Sequence, residues 1–188
     1  MKKLNFLTAF IVITSAALIL NSCSKNDSPS TPPATLTLYD TLGGTTLVAD
    51  AITGTMQQQG YLTIRNIIDS TIFIIAADTR INGHFISLLG EIADGNFIGF
   101  VNLSDKLSTF VAVATGAQDY TYTGLSMANA HNPATNSRMN GKATSSDFDA
   151  FEDDLTQGAA KNGVQSTDPA FIHLAAIVES LRSVIVQQ

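Results

Sequence analysis

The sequence of 188 residues has little cysteine, tryptophan or histidine and few charged residues. It holds one cysteine, three histidines and no tryptophan, and 14% of its residues are charged. Because a lone cysteine has no partner, an internal disulfide and a CxxC zinc or redox site are both excluded. With three histidines and one cysteine, a metal site must take few of its ligands from protein side chains.

Positive charge is also scarce. Ten Lys and Arg residues stand against sixteen Asp and Glu residues, which gives a net charge of −6. Nucleic-acid affinity depends on Lys and Arg side chains that contact phosphates, so we expect no nucleic-acid partner. A hydrophobic share of 45% is ordinary for a globular protein and excludes a wholly disordered chain. The length predicts one compact domain with a short appendage.

The N-terminal residues 1–22 have the layout of a bacterial export signal, in which two lysines precede an apolar stretch. The stretch ends in Leu-Asn-Ser before Cys23, which resembles a lipobox; a single-pass membrane anchor is the alternative. The resemblance implies that Cys23 carries a lipid and that the protein is anchored in the cell envelope, at the outer membrane or its periplasmic face, with the cell surface as a further alternative. Residues 23–34 are polar and rich in Pro and Ser, so they are predicted to be a flexible tether.

The domain predicted over 35–188 is mainly helical. Residues 36–42 suit a short helical turn that a glycine pair ends. Residues 64–77 carry apolar residues at helical spacing, although their β-branched side chains leave a buried strand as an alternative. Residues 49–60 are predicted to be a loop or a short helix, and 86–101 an irregular insertion with short helical pieces.

Three clearer helices are predicted in the second half. The first is capped by Ser104 or Asp105 and ends near Gly116. The second begins at the serine pair 145–146, and acidic residues in its first turns complement the helix dipole. The third begins at the Asp-Pro pair 168–169, which combines a cap with proline at the first helical position.

Five short motifs occur in a characteristic order. They are LYDTLGG at 38–44, AAD at 76–78 with Phe85 seven residues later, DKLSTFVAVATGA at 105–117, YTGLSMANAH at 122–131 and FDAF at 148–151. Together they resemble group I truncated haemoglobins, small globins built as a two-over-two helical sandwich. The motif at 122–131 is the most specific of the five. The resemblance implies an all-α, globin-like fold that binds haem b, with expanded loops at 45–66, 86–103 and 132–144.

The resemblance makes His131 the protein ligand of the haem iron. A neutral imidazole would bind iron through Nε2 and donate its Nδ1–H to a backbone carbonyl. Met127 lies four residues earlier, so its thioether and the imidazole could face the same slot. Without the resemblance, His131 would be interpreted as a surface histidine in a polar loop.

Other positions follow from the same resemblance. Phe85 matches the aromatic residue that packs flat against the porphyrin, and ordinary core packing is the alternative. Lys106 matches a position that pairs with a haem propionate, but it could equally be a solvated lysine. Arg138 and Lys142 are alternative propionate partners. His173 is predicted to lie at the boundary of the core.

The distal positions of the family fall on Ile72, Leu103 and Leu107. All three are apolar, so bound dioxygen would lack the hydrogen-bond donor that offsets its partial negative charge. We expect faster autoxidation and weaker oxygen retention than in family members that have Tyr and Gln there. Thr71 is the nearest replacement donor. His84 could swing in as a sixth iron ligand, but a surface position is favoured.

The function predicted first is a haem-binding module that binds oxygen or another diatomic gas and is tethered to the membrane by its lipid. The second is a haem oxidoreductase, a nitric oxide dioxygenase or a peroxidase, which would need an external reductase. The third is a haem-free globin-like surface interaction protein. No GxSxG, HExxH or P-loop motif occurs. The acidic run at 147–154 suits a solvated helix face better than a calcium site, because it lacks the glycine turn.

Overall fold

Apolar residues at helical spacing form the long helices of this chain. The structure, a computed structural model, describes Thr35–Gln188, which form one compact unit. The helices are α1 (Leu38–Thr41), α2 (Gln59–Ala77), α3 (Ile86–Ala93), α4 (Ile98–Ala114), α5 (Met127–Ala130), α6 (Ser145–Lys161), α7 (Pro169–Glu179) and α8 (Arg182–Ile185), and a 3-10 turn (Asn82–Phe85) precedes α3. The strands are β1 (Leu47–Ala49) and β2 (Met56–Gln58). The predicted all-α class is confirmed, whereas the signal 1–22, Cys23 and the tether to residue 34 lie outside the described residues.

The central helix is α2, which packs mainly against α6 and α4. Ile64 and Ile72 belong to a core cluster shared with α1 and α4, and Ile67 belongs to a second cluster with α6 and α7. By length and composition α2 could cross a membrane, but 44% of its most apolar window is buried in the protein. Its apolar character is therefore explained by burial in the core, and the strand alternative for 64–77 is wrong.

The prediction of a loop or short helix at 49–60 holds for the turn at 50–55 but is wrong for Ala49 and 56–58, because β1 and β2 form an antiparallel hairpin. The Asp50 carboxylate closes its turn by accepting hydrogen bonds from the backbone N–H of Ile52 and the hydroxyl of Thr53, both at 2.8 Å. Gly54 has a φ of +70°, a left-handed conformation that glycine adopts without strain. These local bonds of the aspartate favour a turn over a helix.

The insertion at 86–103, expected to be an expanded loop, is largely helical. It contains α3 and the first turns of α4, which begins before the predicted caps. Ser104 is buried within α4 and donates its hydroxyl to Asp69 of α2. Asp105 accepts a hydrogen bond of 3.0 Å from a tyrosine hydroxyl of α2. Ser104 and Asp105 therefore connect α4 to α2 and do not cap α4.

The C-terminal helices begin close to the predicted positions. Thr144, and not one of the two serines after it, is the N-cap of α6. Its hydroxyl accepts from the backbone N–H of Asp147 at 3.2 Å, and the Asp147 carboxylate accepts from the backbone N–H of Thr144 at 2.8 Å, which is a capping box. α7 begins at Pro169 as predicted. Asp168 precedes it, but its carboxylate accepts from the backbone N–H of Gln165 and makes no capping bond.

Helices α2 and α6 meet at Gly158. A Cβ at this position would lie 2.9 Å from the backbone nitrogen of Thr71 and 3.1 Å from the carbonyl oxygen of Ile67. Gly158→Ala is therefore expected to lower the free energy of unfolding by about 1–3 kcal/mol, measured by urea denaturation. Gly90→Ala is the matched control, because a Cβ there meets no atom within 4 Å. A similar loss in both variants would contradict a specific contact at Gly158.

A buried carboxyl on α6 makes stability depend on pH. Asp154 is 1% exposed, and its Oδ2 has no hydrogen-bond partner among the described residues. Burial and the neighbouring carboxylate of Asp78 raise the pKa of Asp154 to about 6, while the guanidinium of Arg80, 3.9 Å away, opposes that rise. The folded protein therefore binds this proton more tightly than the unfolded chain does.

Because its folded-state pKa is raised, Asp154 should destabilise the fold as pH rises from about 4 to about 6. Asp154→Asn cannot ionise, so its free energy of unfolding relative to the parent chain is expected to increase across that range, by at most about 3 kcal/mol. Urea denaturation at several pH values measures the difference. Asp153→Asn, at an exposed position on the same helix, should change stability by less than about 1 kcal/mol. A pH-independent difference for Asp154→Asn would refute this assignment.

Candidate functional site

A cavity of about 540 Å³ lies between α2 and α4 on one side and the segments from α5 to α8 on the other. Its size is within the range of pockets that hold organic ligands and cofactors. Most of the side chains that line it are apolar, and the polar ones are half-buried or exposed. Seven of the predicted site residues line this one cavity: His131, Phe85, Lys106, Met127, Ile72, Leu103 and Leu107.

His131 directly follows α5, and its ring is fixed by one hydrogen bond. Its Nδ1 lies 2.8 Å from the carbonyl oxygen of Met127, one helical turn earlier, which is the backbone bond expected for an iron ligand. Nδ1 therefore carries the proton and donates it to this carbonyl, which leaves Nε2 as an acceptor. Within the described chain no hydrogen bond uses Nε2. Desolvation by burial, with a smaller contribution from His84, lowers the pKa of His131, so the imidazole is neutral near pH 7.

The segment around His131 is held by side chains that form hydrogen bonds with backbone groups. The hydroxyl of Ser126 accepts from the N–H of Asn129 at 3.3 Å and caps α5. After the histidine, Thr135 donates to the carbonyl of Asn129 at 2.8 Å, and Asn136 donates to that of Ala130 at 2.7 Å. These bonds stabilise α5, which has only four residues.

The walls contributed by α2 and α4 are apolar at the three predicted distal positions. Ile72 is 5% exposed, and Leu103 and Leu107 are partly buried against the same core cluster. Thr71, predicted as the nearest replacement donor, does not line the cavity. Its hydroxyl donates to the carbonyl of Ile67 at 2.8 Å and faces Gly158 of α6. Thr71 is therefore not a donor to a ligand in the cavity.

Two of the three predicted cations lie at the rim of the cavity. Lys106 is exposed and donates to the hydroxyl of Thr123 at 3.3 Å. Arg138 forms a two-pronged ion pair with Glu91, with N–O distances of 2.6 and 2.8 Å. Lys142 does not line the cavity.

His84 lines the cavity but has both ring nitrogens engaged. Its Nδ1 lies 2.7 Å from the carbonyl oxygen of Asn140, and its Nε2 lies 3.1 Å from a carboxylate oxygen of Asp147. A histidine held in this way is not free to bind a metal, which argues against the role of sixth ligand, and it is not a simple surface residue either. His173 is exposed on α7 and does not line the cavity.

Sequence reasoning missed a set of contacts that fasten the segment after His131 to the segment around α3. Asn140 accepts from His84, and it donates its amide to the carbonyl of Gly83 at 2.9 Å. The ion pair between Glu91 and Arg138 is a second fastening. The partners are about fifty residues apart in the chain, so no local pattern indicates that they meet.

Three carboxylates of the acidic run in α6 form ion pairs with arginines at the surface, whereas Asp154 is buried, so the prediction of a solvated face is wrong for that residue. Arg182 contacts Asp149 at 2.7 Å and Glu152 at 2.9 Å, and Arg80 contacts Asp153 at 2.8 Å. Among residues 35–188, no group of three or more His, Cys, Asp or Glu side chains is placed to hold a metal ion. The carboxylates are therefore structural partners of arginine.

Comparison with known proteins identifies the fold. No protein-family description matches the sequence, and no curated protein does. Among solved structures, the chain is similar to three variants of the truncated hemoglobin from Tetrahymena pyriformis in the Fe(III) form, at 18% sequence identity. The TM-scores are 0.56, 0.56 and 0.57, and each alignment covers 81% of this chain and 100% of the other. The chain thus has a truncated-globin fold.

Proposed function

We propose that this chain binds haem b in the cavity, where Nε2 of His131 would hold the iron. The observation that carries the proposal is the state of His131: Nδ1 is fixed by the carbonyl of Met127, and Nε2 is left unbonded beside an apolar cavity. Similarity to Fe(III) forms of a truncated hemoglobin supports the same assignment. The resemblance at 122–131 further supports a group I type of globin.

The residues present fit a porphyrin. A neutral imidazole is the form that binds iron, and the burial that lowers the pKa of His131 favours it. The apolar walls on α2 and α4 would exclude water from the ring, and Phe85 is half-buried against the same core cluster. Lys106 and Arg138 at the rim supply positive charge where propionates would meet solvent.

We infer that the ligand is a diatomic gas. When bound, haem supplies an iron atom with a free coordination position that can take oxygen, carbon monoxide or nitric oxide. The chain's own contribution is an apolar wall of Ile72, Leu103 and Leu107 at the predicted distal positions. Such a wall offers no hydrogen bond to a polarised ligand, which favours a binding role over oxygen chemistry.

We also propose that Cys23 carries the lipid and holds the domain in the cell envelope. The support is the sequence pattern: two lysines, an apolar stretch and Leu-Asn-Ser before the only cysteine. In this arrangement the lipid supplies the membrane affinity, and the globin domain faces the aqueous side of the membrane.

The haem assignment is tested by reconstitution. Residues 24–188, which include the whole described unit, are expected to give a Soret band when hemin is added. His131→Ala should weaken haem binding by more than about 100-fold, because it removes the axial ligand itself and not only an outer partner. His173→Ala, which changes an exposed histidine outside the cavity, should bind haem as the parent does. An unchanged Soret band in His131→Ala would overturn the assignment.

The apolar wall gives a second prediction, on gas affinity. Leu107→Gln should place an amide donor in the cavity and tighten oxygen binding by up to about tenfold, the value of one net hydrogen bond. Carbon monoxide, which is less polarised, should gain little. Val113→Gln is the matched control, because Val113 is an exposed residue of the same helix outside the cavity. Equal changes for the two gases in Leu107→Gln would argue against an apolar distal wall.

A further inference from the structure

The hairpin formed by β1 and β2 exposes apolar side chains. Ala49 pairs with Met56 and Leu47 lies two residues earlier, so the three side chains share one face of the hairpin. Leu47 is 60% exposed and Met56 58%, and Ile52 at the tip is 88% exposed. Solvated faces of antiparallel sheets are normally polar. We call Leu47, Ala49, Ile52 and Met56 the hairpin face.

The tip is ordered, so the exposure of Ile52 does not come from a loose loop. The Asp50 carboxylate accepts from the N–H of Ile52 and from the hydroxyl of Thr53, and the Asp50 carbonyl accepts from the N–H of Gly54, all at 2.8 Å. Asp50 itself is only 7% exposed. The turn therefore buries its polar residue and presents its apolar one to the outside.

The two strands of the hairpin and their turn carry a single charged residue. Asp50 is the only charged residue between positions 41 and 64, in a chain whose net charge is −6. Asp119 accepts a hydrogen bond of 2.8 Å from the amide of Gln58, at the end of the hairpin away from its turn. A lipid surface with anionic headgroups repels an acidic protein, so the turn around Ile52 is the part of the hairpin that can approach it at least cost. Exposed apolar side chains without charge are typical of membrane or protein contact sites.

The position of the hairpin in the chain also favours a membrane as the binding partner of the hairpin face. The described fold begins at Thr35, where Leu36 is 73% exposed, and β1 follows α1 after a short glycine turn. Eleven residues separate Cys23 from Thr35. Fully extended, they span at most about 40 Å. A lipid on Cys23 would therefore keep the hairpin within reach of the bilayer surface at high effective concentration, where a weak contact is sufficient.

We propose that the hairpin face docks on the surface of the membrane to which the chain is tethered, with Ile52 inserted among the lipid headgroups. A second copy of the chain is a less suitable partner. Strands of three residues are about 10 Å long. A stable protein interface buries roughly 800 Å² on each partner, which is more than this small face offers. The proposal does not depend on haem, and its test can be carried out on the apoprotein.

A polarity-sensitive dye tests the contact. Residues 24–188 contain the whole described unit and no cysteine, so Ile52→Cys gives a single labelling site at the tip. An N-terminal hexahistidine tag, bound to nickel-chelating lipid in phosphatidylcholine vesicles, replaces the natural tether. We expect the dye emission to shift to the blue on vesicles, and the further changes Leu47→Glu and Met56→Glu to abolish the shift.

The matched control is Ile172→Cys, because Ile172 is 57% exposed on α7. A dye there should not respond to vesicles, and circular dichroism checks that every variant is folded. Absence of a shift at position 52 overturns the proposal, and so do equal shifts at both positions, which indicate unspecific adsorption. A shift at position 52 that grows with protein concentration in the absence of vesicles also overturns it and identifies a second copy as the occupant.

Discussion

The close approach of α2 to α6 at Gly158 sets the spacing of the two helices that pack most extensively in this fold. Glycine there lets the backbones meet, with Thr71 and Ile67 of α2 against the α6 surface. This contact fixes one side of α2, and Ile64 and Ile72 then face the cluster shared with α4. The cavity lies where α2 and α4 present apolar side chains without filling the space between them and the C-terminal helices.

Around that cavity, polar groups are kept at the edge. Ser104 and Asp105 connect α4 to α2, and the pair of Glu91 and Arg138 fastens the segment that follows His131. These contacts join segments that surround the cavity, in addition to the bond that the His131 ring makes with the Met127 carbonyl.

Local patterns in the sequence predicted the features that depend on neighbours in the chain. His131 and Met127 are four residues apart, so the bond from the ring to the Met127 carbonyl follows from one helical turn. The start of α7 at Pro169 follows from the restricted φ of proline. The cap of α6 was predicted one residue late, because two serines compete with Thr144 as candidates.

Features that depend on distant partners were not predictable in this way. Ser104 has the residue type of a helix cap, but α4 already begins at Ile98. The hydroxyl of Ser104 therefore lies inside the helix, where it donates to Asp69 of α2. The turn at Asp50 is stabilised by hydrogen bonds of its carboxylate, and these cannot be predicted from the pattern of hydrophobic residues. His84 has the composition of a surface residue, yet Asn140 and Asp147 engage both of its nitrogens.

Residue types and spacings within one or two helical turns were enough to predict the helical class. The resemblance of short motifs to truncated haemoglobins was the source of the predictions for His131 and for the apolar positions Ile72, Leu103 and Leu107. Tertiary structure alone decided that the seven predicted side chains line one cavity, that Thr71 turns away from it and that the region before α2 is a hairpin with an apolar face. The physical reason is that cavities, ion pairs and exposed faces are set by the packing of segments far apart in the chain, which no local pattern encodes.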